Sequence, residues 1–149
     1  MKKEHSSRWR KLDNAAQAFP AATGKKDTRV FRFYCQLKED IQADLLQKAL
    51  EQTMEHYPVF SMVLRKGLFW FYLEQRDLPA KVEEEKRPPC SEIYVPDHKT
   101  LLFQVSYYKT RINFEVFHDP DRRHRCDAVS ERTGEQLSDL VSSRGNLFK

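Results

Sequence analysis

The apolar residues of this chain are concentrated before residue 118, and this boundary limits what the chain can fold into. Residues 119–149 are polar, and their few hydrophobic side chains, including Val129, Leu137 and Leu140, could not build much core. A stretch as apolar as 112–117 should lead into a segment that covers it, and this tail does not. We therefore expect a folded unit at 1–118 and a disordered polar tail at 119–149.

The clearest predicted element is an amphipathic helix at 40–57. Its apolar residues recur every three to four positions, which is the period of one helix face. Asp40 is available to cap its N-terminus, and Pro58 follows its end. We interpret the stripe as a core face rather than a surface for a partner. Its members are Ile41, Leu45, Leu46, Ala49, Leu50, Met54 and Tyr57.

Alternating apolar and polar residues predict strands on both sides of this helix. The first is at 30–37, with Phe31, Phe33 and Cys35 on one face. A hairpin follows at 59–64 and 68–74 around a turn at 65–67, and a second one at 101–108 and 112–117 around 109–111. Residues 77–97 read as a loop with a short strand near Val82. One helix over an antiparallel or mixed sheet predicts an α+β fold, a two-layer sandwich.

Composition narrows the functional classes. The net charge of +4 includes basic clusters near the N-terminus and at 122–125. No recognition-helix, RRM or zinc-finger pattern accompanies them, so we expect no nucleic-acid partner.

The three cysteines, Cys35, Cys90 and Cys126, are widely spaced, which predicts a reduced, cytoplasmic protein. No apolar run reaches the roughly 18–20 residues that a membrane span requires.

Three stretches resemble bacterial alcohol acetyltransferase-like proteins, which belong with chloramphenicol acetyltransferases, wax-ester synthases and peptide-synthetase condensation domains. They are WRKLDNAAQAFP, LRKGLFWFYLE and RINFEVFH. The resemblance covers roughly residues 8–118, the first part of a longer two-lobed enzyme. It implies the incomplete N-terminal lobe of a chloramphenicol-acetyltransferase-like fold. It also implies an acyl-CoA co-substrate, a hydroxyl acceptor and no tightly bound cofactor.

His118 is the catalytic residue that the resemblance implies. In that superfamily a strand ends in a histidine that begins an H-x-x-x-D-G motif and removes the proton from the acceptor hydroxyl. An unperturbed imidazole pKa of about 6.5 suits a general base. Arg122 and Arg123 stand where the motif has Asp and Gly. From position alone, His118 could also be a histidine at the end of a strand whose ring nitrogens are hydrogen-bonded to neighbouring residues.

A frameshift after His118 would account for the departure from the motif. Removing one base from a permitted codon of Asp119 allows the tail to be read as ALTDGTGAMQFLKELVNSYL. With His118 in front this gives H-A-L-T-D-G, followed by an amphipathic helical pattern. We therefore expect residues 119–149 to be out of frame. Because the second lobe is missing, we also expect this chain to be inactive alone.

Several features allow other interpretations. Five residues after the last predicted strand are of the types that bind metals: His118, Asp119, Asp121, His124 and Cys126. Their spacing matches no standard site, and the intervening arginines would repel a cation. We therefore expect no metal site. The alternative function is a small non-enzymatic binding protein that uses its arginine-rich tail for anionic partners.

Two further runs matter for packing. The aromatic run 68–72 predicts either a central strand or a surface that packs against the missing lobe. The acidic run 83–85 predicts solvated loop charge. Sheet surface left open by the missing lobe predicts self-association.

Overall fold

The structure is a computed structural model that describes residues 9–12, 20, 23, 26–96 and 98–117. In this part of the chain one α-helix and seven strands form an α+β fold, as the sequence predicts. In chain order the elements are β1 (Trp9–Lys11), β2 (Val30–Gln36), α1 (Ala43–His56), a 3-10 turn (Pro58–Ser61), β3 (Met62–Lys66), β4 (Phe71–Gln75), β5 (Val82–Glu84), β6 (Phe103–Tyr108) and β7 (Arg111–Phe117).

The larger sheet has the strand order β2-β7-β6-β5. β7 pairs antiparallel with β6 through the predicted hairpin and with β2 across the chain, from Val30 opposite Phe117 to Gln36 opposite Arg111. The turn places Lys109 at φ 51°, in the left-handed region. The short strand β5, predicted near Val82, pairs parallel with β6. β7 therefore lies inside the sheet, with a strand on each side.

Helix α1 covers one face of this sheet, so the two layers are the helix and the sheet. Its buried residues Leu46, Ala49 and Leu50 form one cluster with Phe103, Val105, Ile112 and Phe114. The helix begins at Ala43 and its N-cap residue is Gln42, which makes no side-chain capping bond. The predicted cap at Asp40 is therefore wrong. The chain is still extended at Gln42, with φ −88° and ψ 113°, and the Ile41 N–H donates to the Lys109 carbonyl at 2.9 Å.

A smaller sheet has the order β1-β4-β3. Its β3 begins at Met62, later than predicted, because Pro58–Ser61 forms a 3-10 turn. This turn directs Phe60 into the core, where its ring lies edge-on to Phe103 at 5.2 Å and to Phe114 at 5.9 Å. The isolated bridge between Val63 and Leu101 connects the smaller sheet to the segment before β6.

The turn of the β3–β4 hairpin also differs from the prediction. The Gly67 N–H donates to the Trp70 carbonyl at 2.8 Å, so the reversal lies after Gly67 rather than at 65–67. Leu68 and Phe69 form its tip, and β4 begins only at Phe71. From there on the predicted central strand is confirmed, because β4 lies between β1 and β3.

The centre of the opposite face of the larger sheet is buried although it is polar. It carries Asn113, Glu115 and Ser106, all at most 4% exposed. Segment 85–96 lies against this face, because the Cys90 N–H donates to Glu115 and the Arg87 guanidinium donates to Gln104. Both faces of β7 are thus covered within the described part of the chain. No helix in the described ranges has the length and apolar character needed to cross a membrane.

Candidate functional site

The predicted catalytic residue, His118, lies outside the described residues, but the residue before it is well defined. Phe117 ends β7 and is 3% exposed. Its backbone N–H donates to the Leu102 carbonyl at 2.8 Å, and it pairs with Val30 of β2. The chain is therefore held by neighbours on both sides up to the position immediately before His118.

The end of β7 lies where the two sheets meet. Phe117 belongs to a buried cluster with Leu12, which follows β1, with Leu64 of β3, and with Tyr94 of segment 85–96. The rings of Tyr94 and Phe117 are 5.4 Å apart. Residues from three separate parts of the chain thus surround Phe117, the last residue of β7.

A charged network supports β7 from its polar face. Glu115 Oε1 accepts hydrogen bonds from Arg32 Nε of β2 at 3.1 Å and from the Cys90 N–H at 2.6 Å. Glu85 accepts from Arg32 at 2.5 Å and from Arg111 at 2.6 Å. Two carboxylates and two guanidinium groups therefore join β2, β7 and segment 85–96.

The pKa values in this network follow from its pairing. The hydrogen bond from Arg32 is the main cause that lowers the pKa of Glu85, against an opposing effect of burial. Burial acts to lower the pKa of Arg32, but hydrogen bonds to Glu85 and Glu115 outweigh it and the pKa is raised. Both groups are held in their charged forms at neutral pH. Such a network is suited to positioning β7 and not to exchanging protons with a substrate.

Sequence reasoning missed this network. Glu85 was expected to be a solvated loop charge, but its side chain is only 13% exposed because two arginines bind it. A signal was present in the sequence: Arg32 and Glu115 are charged residues inside two strands that are otherwise largely apolar. Charges of opposite sign in this setting indicate a cross-strand pair.

A groove of about 460 Å³ opens one strand away from the end of β7. Residues of β6 form its floor and loop residues on either side form its walls. Leu101 and Phe103 line it, and the residue between them, Leu102, accepts the hydrogen bond from Phe117. The lining is mostly apolar, with Lys81, Arg87, Lys99, Glu83 and Glu92 as its charged members. The groove therefore combines apolar side chains with charges of both signs.

The other predicted site residues are distributed as follows. The ligand-type residues Asp119, Asp121, His124 and Cys126, like the arginine-rich run, lie outside the described residues. Within the described ranges, no three His, Cys, Asp or Glu side chains are grouped so that they could hold a metal ion. Cys35 has a reduced thiol and is half-buried. Cys90, also reduced and half-buried, has φ 57° and lies beside Glu115.

Comparisons with known proteins identify the fold. No family model and no curated protein matches the sequence. Polyketide synthase associated protein 5 from Mycobacterium tuberculosis aligns over 89% of this chain and 33% of its own, with a TM-score of 0.58 and 17% identity. A mutant starter condensation domain of the rhizomide synthetase aligns over 90% of this chain and 38% of its own, with a TM-score of 0.63 and 9% identity.

These similarities bear on the fold alone. The chain has the fold of part of a condensation domain, which agrees with the fold that the resemblance implied. It spans about a third of the length of the solved structures that it matches.

Proposed function

We propose that this chain is the first part of an enzyme that transfers an acyl group from acyl-CoA to a hydroxyl group, with His118 as the general base. The observation that carries the proposal is the end of β7: Phe117, which precedes His118 in the sequence, is buried where the two sheets of a condensation-domain-like fold meet. The resemblance of RINFEVFH to the motif strand of alcohol acetyltransferase-like proteins supports the same residue.

The chemistry requires one proton transfer. The hydroxyl oxygen of the acceptor attacks the thioester carbonyl while the imidazole of His118 accepts the hydroxyl proton. The C–S bond then breaks, the new ester leaves, and the coenzyme A thiolate takes up a proton. A histidine is neutral enough near pH 7 to accept that proton, since its ordinary pKa is about 6.5. A positioned base of this kind contributes about 10²–10⁴-fold in rate.

Two features of the described residues support this role. The Arg32–Glu115 pair and the Phe117–Leu102 hydrogen bond fix the strand that leads into His118. The groove beside Leu101 and Phe103 provides space for an apolar acyl or acceptor group next to that strand. The site needs further protein to enclose the thioester, so we propose that this chain alone is inactive.

The decisive experiment is to sequence the encoding DNA after His118 and to express the protein with the reading frame shifted by one base. Thiol release from acetyl-CoA in the presence of an alcohol is then measured. We expect thioester-dependent ester formation by the frame-shifted protein and none by the present chain.

Substitution of the base gives the matched control. His118→Ala in the frame-shifted protein should lower the rate about 10²–10⁴-fold. His56→Ala changes an exposed histidine at the end of α1 that does not line the groove, and should leave the rate unchanged. If the frame-shifted protein releases no thiol, or if His118→Ala retains full activity, the assignment is wrong.

A further inference from the structure

The tip of the β3–β4 hairpin exposes three large apolar side chains in a row. Leu68 is 95% exposed, Phe69 86% and Trp70 45%, and we refer to these residues as the apolar tip. Single exposed apolar residues are common on protein surfaces, but contiguous ones mark sites of interaction. The acyl-transfer site at the end of β7 gives no role to this tip.

The apolar tip is held outward by the backbone. The Gly67 N–H donates to the Trp70 carbonyl at 2.8 Å, and the strand ladder begins at the next pair, Lys66 opposite Phe71. A Cβ atom at Gly67 would lie 2.9 Å from the Trp70 carbonyl oxygen, so the turn is tight enough to require glycine. The backbone bond therefore fixes Leu68 and Phe69 at the tip of the turn.

The surroundings of the apolar tip are basic. Residues 65–73, RKGLFWFYL, contain Arg65 and Lys66 and neither Asp nor Glu. Lys66 is exposed. The first acidic residue after the tip is Glu74, which is engaged by Arg65 at 3.8 Å and by Arg76 at 2.9 Å. The tip thus combines apolar side chains with an excess of positive charge.

We propose that the apolar tip inserts into the surface of a membrane that contains anionic lipids. A narrow tip of three residues offers much less than the roughly 800 Å² per partner that a stable protein interface buries. A lipid surface needs no such area, because Leu and Phe can enter the acyl region and Trp favours the headgroup level. Each nearby lysine or arginine strengthens attraction to an anionic leaflet, by about fivefold in affinity.

Tryptophan fluorescence can test this proposal on the full chain. The chain has two tryptophans, so Trp9→Phe leaves Trp70 as the reporter. Vesicles of phosphatidylcholine, with and without phosphatidylserine, are titrated into the protein. We expect a blue shift of Trp70, quenching by brominated lipid, and stronger binding to the phosphatidylserine vesicles that weakens as salt is raised.

Substitutions then separate the apolar contribution from the charged one. Leu68→Ser with Phe69→Ser should weaken vesicle binding about tenfold or more, without loss of folding, because both side chains are exposed. Lys66→Gln should weaken binding to phosphatidylserine vesicles about fivefold and leave binding to phosphatidylcholine unchanged. Tyr34→Ser removes another apolar side chain, 71% exposed on β2, and should change neither.

Three results would overturn the proposal. One is the absence of any spectral shift with phosphatidylserine vesicles. Another is unchanged vesicle binding when Leu68 and Phe69 are replaced together. The third is a dimer in sedimentation velocity that this double substitution converts to a monomer without any vesicle binding, because the tip would then be a contact between two copies of the chain.

Discussion

At the scale of single residues, Glu85 connects strands that are far apart in sequence. Its carboxylate binds Arg32 of β2 and Arg111 of β7, and the hydrogen bond from Arg32 is the largest cause of its lowered pKa. The folded pKa is below the unfolded one. The stabilisation is therefore present above the ordinary Glu pKa of about 4.3 and is lost as the pH falls through the folded value.

We predict that Glu85→Gln lowers the free energy of unfolding by about 1–3 kcal/mol at pH 7, since two charge-assisted hydrogen bonds lose their charged acceptor. The difference from the unsubstituted chain should shrink as the pH falls below about 4.3. Urea denaturation over this pH range measures both effects. Glu84→Gln, an exposed neighbour, should stay within about 0.5 kcal/mol. Equal losses in the two variants would contradict the role of Glu85.

Gln47 of helix α1 forms two side-chain hydrogen bonds with the backbone around the start of β5. Its Oε1 accepts from the Val82 N–H at 2.8 Å and its Nε2 donates to the Ala80 carbonyl at 2.9 Å. This amide therefore holds the segment that forms one wall of the groove beside β6.

We predict that Gln47→Ala costs about 1–2 kcal/mol of stability and leaves the Val82 amide without its partner. Hydrogen exchange at Val82 should then become faster than in the unsubstituted chain, while exchange at Leu50 in the same helix follows only the global loss. Glu55→Ala, exposed on the same helix, is the control. Unchanged exchange at Val82 would show that the strand does not depend on this contact.

At the scale of elements, the sequence was a good guide to which face is buried and a poor one to where elements end. The helical period identified Leu46, Ala49 and Leu50 correctly because burial on a helix repeats every turn. The helix start was missed because the apolar pattern begins at Ile41, whereas the backbone stays extended through Gln42 and Ile41 bonds to Lys109, which is distant in sequence. Residues 68–70 were predicted as strand because aromatic residues are enriched in strands. The local composition does not distinguish such a strand from an exposed hairpin tip made of the same residues.

The candidate site shows the same limit. The end of β7 was predicted within a residue, because apolar alternation stops there. The charged network was not predicted, because Glu85 and Arg32 meet only when residues 53 positions apart are folded together. The role of His118 rests on the resemblance and stays a prediction.

At the scale of the whole molecule, Tyr94 joins the two sheets. It is 2% exposed and packs with Phe117 of the larger sheet and Leu64 of the smaller one. Trp9 is in β1 and Trp70 precedes β4, so tryptophan fluorescence reports mainly on the smaller sheet. Far-UV circular dichroism reports on α1 as well.

We predict that Tyr94→Ala costs about 3 kcal/mol and separates the unfolding transitions seen by these two probes, because the smaller sheet loses a buried contact with β7. Urea denaturation followed by both probes is the measurement. Tyr34→Ala, which removes a 71% exposed ring, should leave the transitions coincident and nearly unshifted. A single shared transition in Tyr94→Ala would mean that other contacts couple the sheets.

The pairing of β2 with β7 has a consequence for how the protein is made. Arg32 and Glu115 are 83 positions apart, so β2 leaves the ribosome long before its partner strand exists. At roughly 5–20 residues per second the interval is on the order of 10 s, which is long compared with the collapse of a chain. During this time Val30–Gln36 is an unpaired strand that could associate with other nascent chains. A chaperone that binds β2 until Phe117 has been synthesised should therefore raise the yield of folded protein. The gain should exceed that from a substitution that only slows unfolding of the finished chain.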